Sequence, residues 1–173
     1  MRLLFTFFFL CCFSWLLCQE NNSLTKKEKK FVTGILEVEP TAELLPLKLR
    51  EPSFTALIMD GDRIFLLRWQ EQILGYLFST RAMGRYEYFD YSILFSADVS
   101  VMGLTVTAYR SSHGAAICQK KWLDQFKGYE GEELILGKQI DGIAGATISA
   151  NSLLTDIRRA HQLMGHIRDQ KLF

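Results

Sequence analysis

The sequence predicts an α+β fold, an antiparallel sheet with flanking helices. Consecutive strand-like runs fill residues 64–109, rich in aliphatic and aromatic side chains and separated by turn residues. Ala150, Leu153, Leu154, Ile157, Ala160, His161 and Met164 make a stripe at i, i+3, i+4, i+7 near the C-terminus, the mark of an amphipathic helix. Strands grouped together, with helices set apart from them, favour an antiparallel sheet over alternating βαβ units.

The chain has 173 residues, 49% of them hydrophobic and 23% charged, which suits one domain with a real core. Residues 1–18 stand outside that domain. Arg2 precedes the apolar run Leu3 to Leu17, and Gln19-Glu20-Asn21-Asn22 follows it. A charged start, a short apolar run and a polar exit describe a secretory signal peptide, with an uncleaved N-terminal anchor as the alternative. Cys18 raises lipidation as a further alternative, but Leu17 is not the small residue such a signal places before its cysteine. Asn21-Asn22-Ser23 matches a glycosylation acceptor, relevant only in a eukaryotic secretory route. Removing residues 1–18 takes one charge, Arg2, from 20 basic residues and leaves 19 against 19 acidic ones. A formally neutral domain offers no basic field to nucleic acid. Cys118 alone remains inside the domain, so no internal disulfide forms; it reads as a buried small apolar residue, with a reactive thiol as the alternative.

Residues 22–52 read as an N-terminal helix and a connector. Leu24, Phe31, Ile35 and Val38 fall near helical spacing, and Lys26 to Lys30 make a solvated face or, as an alternative, a membrane-surface patch. Pro40, Pro46 and Pro52 then break the chain into extended pieces. The main domain runs from 53 to 173. Phe54 to Met59 and Ile64 to Trp69 flank Asp60-Gly61-Asp62 and suggest a hairpin. Ile73 to Ser79 is a strand, Arg81 to Arg85 a turn, and Tyr86 to Phe95 an aromatic strand. Val99 to Tyr109 alternates and reads as a half-buried strand. Ala115 to Phe126 is expected to be helical, stopped by Gly128, with Gly131 to Ile140 as a second connector. The last helix is expected from about Ser149 to His166.

Asp141-Gly142-Ile143-Ala144-Gly145-Ala146-Thr147-Ile148-Ser149 lies where that connector turns into the last helix. A helix start has unpartnered N–H groups and a favourable dipole for an anion. Gly145 and Ala146 leave room for a phosphate, and Thr147 and Ser149 bring hydroxyls to it. The plainer reading is a tight loop with Thr147 or Ser149 as N-cap. No Lys follows the glycine loop, so it is not a P-loop, and the Gly-x-Gly-x-x-Gly fingerprint is absent. His161 and His166 carry no HExxH pattern, so no metal site is expected.

The segment resembles the flavinylation motif of the FMN-binding domain family, which includes subunits of the Rnf complex and of the sodium-translocating NADH:quinone reductase. Asp141, Gly145, Ala146 and Thr147 match that motif, whereas Ala144 stands where Ser or Thr is usual. Lys121-Trp122-Leu123-Asp124-Gln125-Phe126-Lys127-Gly128 is similar to a second block of such domains. Tyr109 to Gly114 resembles the loop that approaches the flavin, and Gly84-Arg85-Tyr86 and Phe89-Asp90-Tyr91 resemble strand motifs of small exported members. The likeness is clear over 73–160 and thin over 22–72. It implies that 53–173 is an FMN-binding domain of this type, acting as an electron carrier rather than a stand-alone catalyst. It implies FMN joined to Thr147 by a phosphoester, placed there by an FMN transferase that recognises Asp141. Gly145, Ala146 and Ser149 would surround the phosphate; His113, Gly114, Trp122 and Phe126 are candidate ring neighbours, against ordinary core for the last two and a wet loop for His113. The implied setting is the periplasm or the outer face of the cytoplasmic membrane, with membrane or periplasmic redox proteins as partners. The alternatives are a non-covalent FMN or phospho-ligand module and a cofactor-less interaction protein of the same fold.

Overall fold

The computed structural model describes residues 23–45 and 52–170. The signal segment 1–18, the glycosylation motif's two asparagines and the stretch around Pro46 lie outside the described residues. Five strands form one antiparallel meander in sequence order: β1 (Thr41–Leu44), β2 (Arg63–Trp69), β3 (Gln72–Met83), β4 (Tyr88–Ser96) and β5 (Val101–Ala108). Helix α1 (Lys26–Leu36) precedes them, and a one-turn helix, α2 (Pro52–Thr55), lies between β1 and β2. A second short helix, α3 (Lys120–Leu123), follows β5, and the 23-residue α4 (Thr147–Asp169) ends the described chain. The fold is therefore α+β, as the grouping of strands predicts. Among the described residues no helix is long and apolar enough to cross a membrane.

The central strands read as nearly unbroken apolar runs because the sheet is covered on both faces. Ile64, Leu66, Tyr76, Phe78, Phe89, Tyr91, Ile93 and Phe95 point one way, into a core shared with Ala150, Leu153, Leu154 and Ile157 of α4. Phe65, Leu67, Leu77 and Leu94 point the other way and meet Val32 of α1, with Phe31 and Ile35 partly buried beside it. The segment read as helix and connector thus supplies both a covering helix and the edge strand β1, which pairs Thr41 with Arg68 and Leu44 with Phe65.

Each face carries a buried ion cluster, and adjacent residues of β3, Ser79 and Thr80, lead into the two. On the α1 face, Glu28 closes a capping box with Thr25 and also accepts from Arg63 at 2.6 Å. The Ser79–Ser92 hydroxyl pair, 2.9 Å apart, lies beside it. On the α4 face, Arg159 donates to Asp62 at 2.7 Å, to the Leu57 carbonyl at 2.6 Å, and to Asp156. Asp156 also accepts from the Tyr91 hydroxyl, and Asp62 from Thr80. Burial, and then the neighbouring Asp156 charge, hold the Tyr91 phenol well above its ordinary range. Asp156 and Arg159 lie off the apolar stripe in the sequence pattern, yet Asp156 is buried and Arg159 nearly so.

Several expected elements are corrected. Phe54 to Met59 is not a strand: α2 ends at Thr55, and a turn at Met59–Asp62 leads into β2. The Asp62 carboxylate accepts from the Met59 N–H, so this stretch is held by local turn bonds rather than by a neighbouring strand. The hairpin lies instead at Gln70-Glu71, where Trp69 pairs with Gln72 and Gln70 takes φ +54°, a left-handed turn that no glycine or asparagine announces. Strand β3 continues to Met83, through the expected turn at Arg81. The expected helix Ala115 to Phe126 breaks into two 3₁₀ turns around α3, because Gln119 is extended at ψ 123°. Cys118, expected to be buried, is exposed.

Removing Arg159 would leave Asp62 and Asp156 buried without a counter-charge. Arg159→Met is expected to cost about 3–5 kcal/mol in urea denaturation, the range for breaking a buried pair. A loss under about 1 kcal/mol would place the pair with exposed surface bridges. Burial alone would raise the Glu28 carboxyl, but hydrogen bonding from the serine pair and Thr25 and the Arg63 charge hold it below its ordinary 4.5. A depressed carboxylate contributes stability above its unfolded value and loses it as pH falls through the folded one. The melting temperature should therefore drop as pH falls below 4.5, and Glu28→Gln should flatten that acid limb.

Candidate functional site

Three segments converge on the start of α4. The first is the β3–β4 turn, where the Gly84 N–H donates to the Glu87 carbonyl at 2.9 Å and Arg85 and Tyr86 sit at the tip. The second is the loop after β5, residues 109–114. The third is the connector 141–146. Together they enclose a pocket of about 190 Å³, lined by Arg85, His113, Gly114 and the run Gly145 to Ser149.

The helix start is open. Its N-cap residue is Ala146, buried and with no side-chain cap bond, so neither Thr147 nor Ser149 caps it. Thr147 is the first helical residue and is exposed, with its hydroxyl beside uncapped amides. Gly145 takes φ +73° with open space where a Cβ would stand. The backbone conformation, rather than crowding, requires glycine there.

Ser149 has a different role from Thr147. It is 1% exposed, and its Oγ lies 3.1 Å from the Tyr109 hydroxyl. The Tyr109 hydroxyl donates to the His113 carbonyl at 2.5 Å, so Ser149 is the donor to Tyr109. This chain ties the 109–114 loop to α4. Gly114, at φ +87°, fits against it: a Cβ there would stand 2.5 Å from the Tyr109 hydroxyl oxygen and 3.0 Å from Ser149 Oγ. His113 is exposed, with Nδ1 2.9 Å from Ser112 Oγ and its ring edge-on to Tyr86 at 5.8 Å.

Trp122 and Phe126 are core residues, packed edge to face at 5.2 Å, and neither lines the pocket. Trp122 acts on the site through backbone: its Nε1 donates to the Asp141 carbonyl at 2.9 Å, while the Asp141 N–H donates to Gln125 at 2.9 Å. Asp141 is thereby clamped on both sides with its residue exposed. Sequence reasoning assigned no role to Arg85. The signal was its place in the Gly84-Arg85-Tyr86 motif, but only the folded hairpin turn brings it opposite Thr147. It lies over the Tyr86 ring at 5.2 Å and supplies positive charge where the helix dipole already favours an anion.

The comparisons bear on the fold. No protein-family model matches the chain, and no curated protein matches it. Among solved structures the chain is similar to NqrC of Shewanella oneidensis, with a TM-score of 0.50 and 14% identity. The likeness covers 64% of this chain and 60% of that one, so this chain spans less than two thirds of the NqrC structure. At that identity the likeness is one of fold.

Proposed function

We propose that this protein carries FMN on Thr147 and serves as an electron carrier outside the cytoplasm. The observation that carries the reading is an exposed threonine hydroxyl at the first residue of an uncapped 23-residue helix, facing a pocket that also holds Arg85. That arrangement fits a phosphate group: unpartnered amides, the positive end of the helix dipole and a guanidinium converge beside a free hydroxyl. The match of Asp141, Gly145, Ala146 and Thr147 to the flavinylation motif, and the fold likeness to NqrC, support FMN as the group.

Attachment is a phosphoryl transfer by a separate FMN transferase. The Thr147 hydroxyl oxygen forms a bond to the FMN phosphorus of FAD, the pyrophosphate bond breaks, AMP leaves, and the hydroxyl proton is lost. Arg85 and the helix start hold the phosphate oxygens, and the exposed Asp141 is available to the transferase. Bound flavin supplies reversible one- and two-electron chemistry, while the protein positions it. The signal-like residues 1–18 support export, and the partners are membrane or periplasmic redox proteins. A second reading, non-covalent FMN or phospho-ligand binding, is favoured by Ala144, which lacks the usual hydroxyl. In that case the colour would be lost on denaturation and filtration.

Exported together with an FMN transferase, the protein is expected to gain the mass of FMN less water, read on the denatured chain. Thr147→Ala should abolish the gain, and Ser149→Ala should keep it because Ser149 is buried. An unmodified wild type would sink the covalent form of the idea. Arg85→Gln should slow attachment roughly tenfold, the equivalent of one charge-assisted hydrogen bond of about 1.5 kcal/mol. Arg110→Gln is the control, because Arg110 pairs with Asp90 and does not line the pocket. Equal rates for the two variants would remove Arg85 from the phosphate site.

A further inference from the structure

A second, larger concavity adjoins the Thr147 pocket. It is an open groove of about 600 Å³ along the exposed face of α4, and Ile148 lines both spaces. Its walls gather Met59 at 41% exposure, Met83 at 41%, Tyr88 at 47% and Ile148 at 54%. Large apolar side chains that remain exposed together mark a binding surface.

We infer that this groove seats the isoalloxazine ring of a flavin tethered at Thr147. The inference rests on the FMN reading above. Size is the first argument. Small-molecule sites occupy about 300–1,000 Å³. The Thr147 pocket, at about 190 Å³, is too small for a whole FMN and suits a phosphate. The groove falls within the range.

Reach is the second argument. Thr147, Asn151 and Thr155 are spaced i, i+4, i+8 and all three are exposed on one helix face. At 1.5 Å of rise per residue, Asn151 lies about 6 Å and Thr155 about 12 Å along the axis from Thr147. A ribityl chain leading from Thr147 past Ile148 would set the ring against this stretch.

The chemistry of the walls is the third. Met59 and Met83 offer thioethers to a flat aromatic ring; Tyr88 stands beside them with the Arg81 guanidinium, itself paired with Asp60, over its ring at 5.1 Å. Across the groove, the Asn151 amide and the Thr155 hydroxyl offer donors and acceptors to the ring's pyrimidine edge. Arg159, at the floor, is already held by Asp62 and Asp156 and closes the groove rather than binding the ring. His113 and Gly114 line the smaller pocket and not this groove, the two spaces having Ile148 alone in common.

Thr155→Trp places an indole in the groove at an exposed helical position. With FMN attachment established by denatured mass, Tyr88→Leu should raise the flavin emission, because a phenol beside the excited ring quenches it, and Thr155→Trp in that background should remove most of the emission again. Met83→Ser, which opens the wall, should raise quenching of wild-type-like emission by iodide and weaken the visible circular dichroism of the flavin. A protein that carries the FMN mass but shows no gain of emission in Tyr88→Leu, no loss when Thr155→Trp is added to it, and unchanged iodide quenching in Met83→Ser, would overturn the groove alone. A wild type without the FMN mass would overturn the FMN reading itself, and the groove assignment with it.

Discussion

Helix α4 lies across the sheet with an unbroken apolar stripe, and Arg159 pins it there. The stripe removes Leu153, Leu154, Ile157, Leu163, Met164 and Ile167 from water, each worth about 1.5–3 kcal/mol on burial. Apolar packing alone resists sliding weakly. The bonds from Arg159 to Asp62 and the Leu57 carbonyl are directional and tie one point of the helix to the turn before β2, while Asp156, on the helix itself, holds the guanidinium in place. With the helix fixed in register, Thr147 emerges at one defined place, beside the β3–β4 turn.

The same level of the sheet carries a buried polar cluster on each face. Ser79 and Thr80 are neighbours on β3 and point to opposite faces, one toward the Glu28–Arg63 pair and the other toward the Asp62–Arg159–Asp156 set. On the α1 face the core gives way to buried polar groups at this level of the sheet, whereas on the α4 face it continues past them to Ala82 and Phe89. Beyond it β3 and β4 continue, paired from Arg81 with Asp90 to Met83 with Tyr88, and carry the turn that presents Arg85. The candidate site thus stands at the end of the sheet past both ion clusters, where the side chains of the β3–β4 turn face solvent without opening the core.

Much of the fold was legible because its signals are local. The strands within 63–108 announced themselves through aromatic and β-branched residues, and α4 through its 3.6-residue period. The misreadings have physical causes. Phe54 to Met59 is apolar enough for a strand, but Asp62 and the turn hydrogen bonds at its end give the backbone other partners. The Gln70-Glu71 turn carries none of the usual residues, and the pairing of its strands imposes its geometry. Ala115 to Phe126 has helical spacing, but it must bend at Gln119 to bring Trp122 and Gln125 onto the Asp141 backbone.

At the site, the sequence by itself determined the identity of the hydroxyl, the glycine that allows the turn before it, and the helix that follows. Those features depend on neighbours within a few residues. Tertiary structure decided everything that depends on distant segments. It separated Thr147, exposed, from Ser149, buried against Tyr109, although both carry a hydroxyl at the same helix end. It brought Arg85 across from another hairpin, placed Trp122 behind the connector rather than in the pocket, and buried Asp156 off the apolar stripe. Hydrophobic periodicity reports which face of an element is covered, whereas the partner of a charge or hydroxyl is set by which chains the packed sheet brings within hydrogen-bonding distance.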